Sequence, residues 1–295
     1  MKQALPKILL SEGSSLSARQ TITALGLCGY PLGVCDPDPY CIGRFSRFVK
    51  HFYRCPSFNE HPLEYVQFID RIARQDDYAV MIPVHEQAYL FARYRQHIQT
   101  AVVLSAFSSF QKVQGKIAFA QTLQNLSLPQ PDYQIINNLS EIKGLTNFPF
   151  YLKTDYSTAG QGVWQVKNQT LRDSLFSQLA EQKGLDRQQF LIQQQANGEL
   201  CQVQAIFNQG RLIAWHSTRT RGNSIGGGHA ARMSVNHPVV GEHLKILGSH
   251  LGWNGPIALD YIYDSQINSP LYLEANPRLV EPMNAFLSGV NFPEL

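Results

Sequence analysis

Short apolar runs alternate with longer amphipathic stretches along the N-terminal third of the chain. The pattern predicts strands near residues 7–10, 31–36, 78–82 and 101–104, and helices near 16–27 and 63–74 and from 86 onward. Apolar strands that are separated by helices are typical of a parallel sheet with crossover helices. We therefore expect an α/β unit at residues 1–111.

The pattern changes near residue 112 and predicts a compact α+β unit. Its elements are predicted helices near 113–126 and 171–182 and strands near 133–136, 150–153, 163–166 and 190–194. Longer strands follow near 200–208 and 211–220, then a glycine-rich loop, a helix near 239–251 and a final hairpin. We divide the chain at residues 1–111, 112–189 and 190–295.

The final hairpin carries oxygen-bearing side chains inside apolar runs. Asp260 lies in Ile-Ala-Leu-Asp-Tyr-Ile, Glu274 lies in Leu-Tyr-Leu-Glu-Ala, and a turn-forming stretch separates them. Asn276 and Arg278 follow at alternate positions, so they face the same side of the strand. Solvating charges on an edge strand are the alternative, but unpaired acids are costly in such apolar runs. The pattern favours Mg²⁺ and the phosphates of ATP.

A second loop, at residues 153–162, is rich in small residues and begins with Lys153. Small residues let backbone amides approach phosphates closely, and the lysine supplies positive charge. The loop lacks the G-x-x-x-x-G-K-[ST] pattern, so it is not a Walker A loop. A plain hairpin turn is the alternative interpretation.

Composition and charge exclude several classes of function. The net charge of +3 is too small for a nucleic-acid-binding surface, and the early apolar run at residues 8–10 is too short to cross a membrane. We expect a soluble cytoplasmic protein whose five cysteines are reduced and mostly structural. The turn after the first strand lacks G-x-G-x-x-G, which disfavours a nicotinamide or flavin cofactor.

Taken together, these motifs resemble the ATP-grasp superfamily, in the branch of carbamoyl-phosphate synthase, biotin carboxylase and carboxylate–amine ligases. The motifs that carry the resemblance are Lys116 ahead of Pro129, the loop that begins at Lys153, and the run from Glu274 to Arg278 with Asp260. The resemblance implies a Rossmann-like pre-ATP-grasp domain followed by a two-lobed ATP-grasp domain. ATP is then expected between the last two units.

The resemblance also implies a role for each matching residue. Lys116 and Lys153 would contact the nucleotide phosphates, and Arg278 would steady the transferring phosphoryl group. Asp260, Glu274 and Asn276 would bind Mg²⁺, with Mn²⁺ as an alternative ion. The phosphate-covering lid would contain Ser157, Thr158, Ala159, Gly160 and Gly162, and the adenine-reading hinge would contain Gln193, Gln194, Gln195 and Ala196. An exposed lysine at a helix start is the alternative for Lys116.

The substrate region is expected at residues 218–229, around the glycine-rich loop. Arg219 and Arg221 are two residues apart on a predicted strand and could bind a carboxylate or phosphate from one side. His229 could act as a general base, although a lone histidine is usually structural. An exposed turn with flanking charges is the alternative for the whole segment. His85 and Glu86 lie at the expected C-terminal end of a parallel strand, where α/β sheets place ligands, and Glu281 could line the pocket beside Arg278. Glu86 could instead cap a helix and Glu281 could begin one, so we leave them unassigned.

The function expected from the resemblance is a ligase that activates a carboxylate as an acyl phosphate and couples it to an amine. Phosphorylation of bicarbonate or carbamate is one alternative, and a non-catalytic ATP-binding module is another. The expected partners are small-molecule acids and amines, with no nucleic acid and no membrane. The sequence leaves the oligomeric state open, with a homodimer through the N-terminal domain as one arrangement.

Overall fold

The structure is a computed structural model that describes residues 4–157, 160–182, 188–223 and 229–295. The side chains of residues 223, 229 and 230 lie outside this description. The predicted combination of α/β and α+β parts is confirmed, because the described strands form a parallel sheet and two antiparallel sheets.

The N-terminal sheet is parallel, as its apolar strands predict. Its strands and helices are β1 (Ile8–Leu10), α1 (Leu16–Leu27), β2 (Leu32–Asp36), β3 (Val49–Arg54), α2 (Pro62–Gln75), β4 (Val80–Ile82), α3 (Gln87–Arg93) and β5 (Ala101–Val102). The strand order is β3-β2-β1-β4-β5. Apolar residues on both faces form two cores, which explains why β1 and β2 are buried along their whole length.

Two helices and the middle sheet follow. The elements are α4 (Phe107–Gln114), α5 (Lys116–Asn125), β6 (Tyr133–Ile136), β7 (Phe150–Thr154), β8 (Val163–Val166), α6 (Gln169–Ala180) and β9 (Phe190–Gln194). The strands pair in the order β6-β9-β7-β8 and α6 packs on them around Leu152 and Phe190. Asn168 caps α6 by accepting a hydrogen bond from the amide of Leu171 at 3.0 Å.

The C-terminal sheet is antiparallel and contains the longest strands. Its elements are β10 (Glu199–Asn208), β11 (Arg211–Asn223), β12 (His229–Val235), α7 (Pro238–Leu251), β13 (Gly255–Asp264), β14 (Ser269–Asn276) and the short helix α8 (Met283–Leu287). The strand order is β12-β11-β10-β13-β14. Three helices, α4, α5 and α7, bury their apolar sides against this sheet. The core between them contains Phe110 of α4 and Trp253.

Three local features differ from the expectations. The sequence did not predict β3 or β12, and the helix predicted over 113–126 is α5, which begins after Gly115, while α4 before it was not predicted. A Cβ on Gly115 would lie 2.8 Å from the carboxylate of Asp155, so the chain turns there around that side chain.

Sheet membership also bears on the expected domain boundaries. The boundary at 112 falls inside α4, and the boundary at 190 separates β9 from the strands with which it pairs. The pairing favours a middle unit that ends after Gln194. The division into domains stays a prediction.

The segment after β14 joins the C-terminal sheet to the N-terminal unit. The amide of Glu281 donates to Ser17 Oγ at 3.2 Å, and the amide of Met283 donates to Gln20 Oε1 at 3.0 Å. Leu279 and Phe292 pack with Ile206 in a small core beside these bonds. These contacts fix the segment across one end of the C-terminal sheet.

In the part of the chain that the structure describes, no helix combines the length and apolar character that a membrane crossing requires. All five cysteines are free thiols, and four of them are buried. Burial raises the pKa of Cys41 and of Cys201 to about 11. These two thiols are therefore protonated at neutral pH.

We predict that Phe110→Ala strongly destabilises the protein. The Phe110 ring is buried and stacks on Trp253 with ring centroids 5.8 Å apart, so truncation leaves a cavity between α4 and the C-terminal sheet. A cost of about 3–5 kcal/mol in the free energy of unfolding is expected. Urea denaturation measures it, with Leu287→Ala as the control because that side chain is 77% exposed. Equal midpoints for both variants would contradict the packing described here.

Candidate functional site

The two acidic residues of the final hairpin lie directly opposite each other. Asp260 of β13 pairs in register with Glu274 of β14, and Ala258 pairs with Asn276. Residues in register share a face in an antiparallel pair, so all three oxygen-bearing side chains lie on one face. Asn276 Nδ2 donates to Asp260 Oδ2 at 3.4 Å. The face shared by these residues is called the site face below.

Burial and mutual repulsion perturb this carboxylate pair. The pKa of Asp260 is raised from 3.8 to about 7, first by burial and then by the charge of Glu274. Gln202 Nε2 opposes the shift by donating to Asp260 Oδ1 at 2.8 Å. Two facing carboxylates with this repulsion present the negative charge that a bound cation neutralises.

Lys116 is the first residue of α5 and points at the acidic pair. Its Nζ lies 3.3 Å from Glu274 Oε2 and donates to the carbonyl and hydroxyl oxygens of Ser157 at 3.2 and 2.9 Å. The side chain is only 5% exposed. Lys116 therefore connects the loop that begins at Lys153 to the acidic hairpin. Its burial excludes the alternative of an exposed lysine at a helix start.

Asp155 fixes the position of Lys116. Its Oδ1 accepts a hydrogen bond from the amide of Ile117 at 2.9 Å, and its carbonyl accepts one from the amide of Lys116 at 3.1 Å. A carboxylate at a helix N-terminus satisfies unpaired amides and interacts favourably with the helix dipole. The sequence interpretation missed this role, although an acid within a loop opposite a helix start is its usual signal.

Lys153 lies on β7 and is also buried. Its Nζ donates to Gln193 Oε1 on the neighbouring β9 at 2.6 Å. The pKa of Lys153 is lowered to about 8, first by burial and also by the charge of Lys116, whereas Glu274 and Asp260 act to raise it. These electrostatic interactions indicate that both lysines and both acids belong to one cluster.

Only part of the predicted lid loop can be described. Ser157 contacts Lys116, whereas Thr158 and Ala159 lie outside the described residues. Gly160 and Gly162 have φ of 74° and 68°, which is the left-handed region that favours glycine. A Cβ on Gly162 would also lie 2.3 Å from Thr154 Oγ1, so this turn requires glycine.

The predicted hinge connects the middle and C-terminal sheets. The amides of Gln194 and Gln195 already donate to the carbonyls of Asp132 and Pro149. These two amides are therefore not available to bind an adenine ring. Gln193 uses its side chain for Lys153. The adenine-reading role of the segment from Gln193 to Ala196 stays a prediction.

Arg278 follows the hairpin and contacts a residue from the N-terminal unit. Its Nη2 lies 3.0 Å from Glu86 Oε1, and its side chain is 9% exposed. His85, just before Glu86, has a φ of 60°, which turns the chain sharply at the end of β4. A small cavity of about 20 Å³ is lined by Glu86, Lys116, Ser157, Glu274, Asn276 and Arg278, among others. Glu86, left unassigned from the sequence, is therefore part of the site.

Arg219 and Arg221 lie away from this cluster. Arg219 pairs across the sheet with Cys201, whereas Asp260 pairs with Gln202, so Arg219 lies on the face opposite to the site face. Arg219 Nη1 binds Glu199 at 2.6 and 2.9 Å.

Arg221 contacts Met233 Sδ at 3.7 Å, and Met233 pairs with Arg219. The predicted substrate-binding role of both arginines is therefore not supported. The sequence did not reveal the face of Arg219, and the register shifts between Thr220 and Gly222, so two-residue spacing does not fix the face of Arg221.

Other polar residues occupy the site face instead. Arg232 of β12 and Gln204 of β10 are two of them, and Glu281 lies close to both. His229 begins β12, but its side chain lies outside the described part, so its role as a base stays a prediction.

Solved structures provide the comparison that decides the fold. An L-amino acid ligase from Bacillus licheniformis has a TM-score of 0.75 at 14% identity, over 99% of this chain and 73% of that one. An ADP complex of N5-carboxyaminoimidazole ribonucleotide synthetase has a TM-score of 0.71 at 15% identity, over 94% of this chain and 72% of that one. The fold is the ATP-grasp fold.

A third similar structure contains nucleotide and metal. It is the biotin carboxylase domain dimer of Hydrogenobacter thermophilus 2-oxoglutarate carboxylase with MgADP, ADP and bicarbonate, at a TM-score of 0.77 and 14% identity. The match covers 99% of this chain and 68% of that one. No protein-family model and no curated protein sequence matches the chain.

The residues at the acidic hairpin fit the divalent cation that the ATP-grasp fold implies. Within the described ranges, no group of three or more His, Cys, Asp and Glu side chains could hold a metal ion. A cation at the hairpin would have two carboxylates, Asp260 and Glu274, and the amide oxygen of Asn276 as ligands. All three provide oxygen ligands, which Mg²⁺ and Mn²⁺ prefer.

The raised pKa of Asp260 predicts a pH-dependent stability for the metal-free protein. Because the pKa is higher in the folded state, stability from this group is fully present below the unfolded pKa near 3.8 and is lost as the pH rises through about 7. Asp260→Asn should flatten this decline. Thermal unfolding in the presence of a chelator, over a series of pH values, measures it. An undiminished decline in the variant would contradict the prediction.

Proposed function

We propose that the chain is an ATP- and divalent-metal-dependent ligase that activates a carboxylate as an acyl phosphate and couples it to an amine. The observation that carries the proposal is the buried cluster of Asp260, Glu274, Lys116 and Lys153. Such a cluster combines oxygen ligands for a cation with point positive charges for phosphate oxygens.

The metal would be Mg²⁺, with Mn²⁺ as an alternative, held by Asp260, Glu274 and Asn276. When bound, such an ion would neutralise the negative charge that develops on the phosphate oxygens. Lys116 and Lys153 would hold the phosphate oxygens of ATP, because their ammonium groups already lie beside the acidic pair. Arg278 would present its planar fork to the phosphoryl group during transfer.

In the first step, a carboxylate oxygen of the acid substrate attacks the γ-phosphorus of ATP. The new P–O bond forms as the bond to the β-γ bridging oxygen breaks, which releases ADP and leaves an acyl phosphate. In the second step, a neutral amine attacks the acyl carbon, a C–N bond forms, and phosphate leaves with the C–O bond electrons. An amine that binds as an ammonium ion must first lose one proton, which needs an acceptor, and the departing phosphate takes the proton that the nitrogen loses on coupling.

Glu281 is the residue that we propose as this acceptor. Its φ of 44° is unusual for a residue other than glycine, and two contacts hold its backbone in place. Strained backbone of this kind clusters at functional sites. Its carboxylate lies 4.0 Å from Arg232 on the site face.

The similar structures support a ligase without specifying the substrates. One is named as an amino acid ligase and another is a biotin carboxylase domain that contains bicarbonate. At this identity the likeness extends to the fold alone, so the joined acid and amine have to be found by experiment.

We predict that wild-type protein forms ADP from ATP and Mg²⁺ when given a suitable acid and hydroxylamine. Hydroxylamine is a small nucleophile that converts an acyl phosphate into a stable hydroxamate, which ferric chloride detects. A panel of carboxylic acids that includes the α-amino acids identifies the acid substrate. ATP binding without ADP formation across the panel would favour a non-catalytic module.

We predict that Glu274→Ala reduces hydroxamate formation by at least about 100-fold, because several kcal/mol of transition-state stabilisation depends on the metal. Glu242→Ala is the matched control, since Glu242 is an exposed glutamate whose ion-pair partner Lys245 lies three residues away on the same helix. Undiminished activity in Glu274→Ala would remove the metal assignment.

A further inference from the structure

The site face extends beyond the acidic pair to β10 and β12 and contains buried polar atoms without partners. Gln202 and Gln204 are 4% and 5% exposed, and neither Oε1 atom has a hydrogen-bond partner among the described residues. The Nε atom of Arg232, whose side chain is 8% exposed, also lacks one. Buried polar groups are normally hydrogen-bonded, so such a group of exceptions indicates a ligand.

The orientation of both glutamines is fixed by what they donate to. Gln202 Nε2 donates to a carboxylate oxygen of Asp260 at 2.8 Å, and Gln204 Nε2 donates to the carbonyl of Glu281 at 3.4 Å. The carbonyl of Glu281 and the ionised carboxylate of Asp260 can only accept hydrogen bonds, so each glutamine turns its nitrogen toward its partner. The two free oxygens therefore require a donor from elsewhere.

Arg232 and Glu281 provide a complementary pair of charges beside these oxygens. Arg232 Nε lies 4.0 Å from Glu281 Oε2, which is too far for a hydrogen bond. Ser17 from the N-terminal unit and Gln204 from the sheet hold the Glu281 backbone on its two sides. The pair is therefore positioned by the fold, while the hydrogen-bonding capacity of Arg232 Nε remains unused.

We propose that the amine substrate is an α-amino acid, which is a zwitterion, and that it binds to this part of the site face. The inference rests on the proposed ligase function and specifies one of its two substrates. The carboxylate of the amino acid would accept from Arg232, and its ammonium group would donate to Glu281 and to the free oxygens of Gln202 and Gln204. In an α-amino acid the two groups are adjacent, as Arg232 and Glu281 are.

This binding mode leads directly to the coupling step. Glu281 takes one proton from the bound ammonium group, and the neutral nitrogen attacks the acyl phosphate that forms beside Asp260. The C–N bond forms as the C–O bond to phosphate breaks, the departing phosphate takes the second proton that the nitrogen loses, and the carboxylate of the nucleophile stays on Arg232 without being activated. The product contains an amide bond next to a free carboxylate.

Other ligands match the same atoms less well. A phosphate or a second dicarboxylate offers only acceptors, so it would leave both glutamine oxygens unmatched and would be repelled by Glu281. A simple amine would satisfy these oxygens but would leave Arg232 unpaired. A zwitterion satisfies both requirements.

Calorimetric titration of the wild-type protein tests the proposal with three sets of compounds. The sets are the proteinogenic α-amino acids, the decarboxylated amines that correspond to them, and their N-acetyl derivatives. At least one amino acid should bind at least about tenfold more tightly than both of its derivatives, because each derivative loses one charged partner. Equal binding of an amino acid and its decarboxylated amine, or no binding by any amino acid, would overturn the proposal.

Variants of Arg232 identify the residue responsible. Arg232→Gln should abolish the preference for the carboxylate, and Arg232→Lys, which keeps the charge, should retain part of it. Arg219→Gln is the matched control, because Arg219 belongs to the same sheet but lies on the opposite face. A preference that survives in Arg232→Gln would also overturn the proposal.

Hydroxamate formation separates this proposal from the function on which it rests. Hydroxylamine has no carboxylate, so its reaction with wild-type protein reports acyl phosphate formation alone. Hydroxamate formation without a carboxylate preference in binding would overturn the amino acid assignment and leave the ligase intact. Arg232-dependent amino acid binding without ADP formation would overturn the ligase and support the binding site.

Discussion

Two carboxylates that face each other across one pair of strands impose the main constraint on this molecule. Asp260 and Glu274 lie in register on β13 and β14, where burial and mutual repulsion favour the protonated form of Asp260. Such a pair is unfavourable unless positive charge lies nearby. Lys116 supplies part of it at 3.3 Å. The remaining repulsion is what makes the hairpin suited to a divalent cation.

All three sheets contribute to the surroundings of this pair. The middle sheet provides Lys153, whose lowered pKa reflects burial among the same charges. The N-terminal unit provides Glu86, which pairs with Arg278. The C-terminal sheet provides Asp260 and Glu274 themselves. It also provides the polar residues Gln202, Gln204 and Arg232 on the site face. Under the proposed function, movement of these units relative to one another would help to exclude water during phosphoryl transfer.

The sequence allowed prediction of what depends on local spacing and burial. The apolar runs around Asp260 and Glu274 predicted a hairpin with both acids on one face, and the structure has that register. The face of Arg219 depends instead on pairing across β10 and β11, which a single strand does not reveal. The edge strand β3 was missed because its charged and aromatic residues do not alternate, and the helix break at Gly115 was missed because its cause, Asp155, is distant in sequence.

The central claim is that the facing acids bind a divalent cation together with ATP. The most direct measurement is anomalous X-ray scattering from crystals grown with Mn²⁺ and a non-hydrolysable ATP analogue. The account predicts a manganese peak within coordination distance of oxygens of both Asp260 and Glu274, with Lys116 directed at the phosphates. A nucleotide bound elsewhere, or a peak that contacts neither acid, would contradict it.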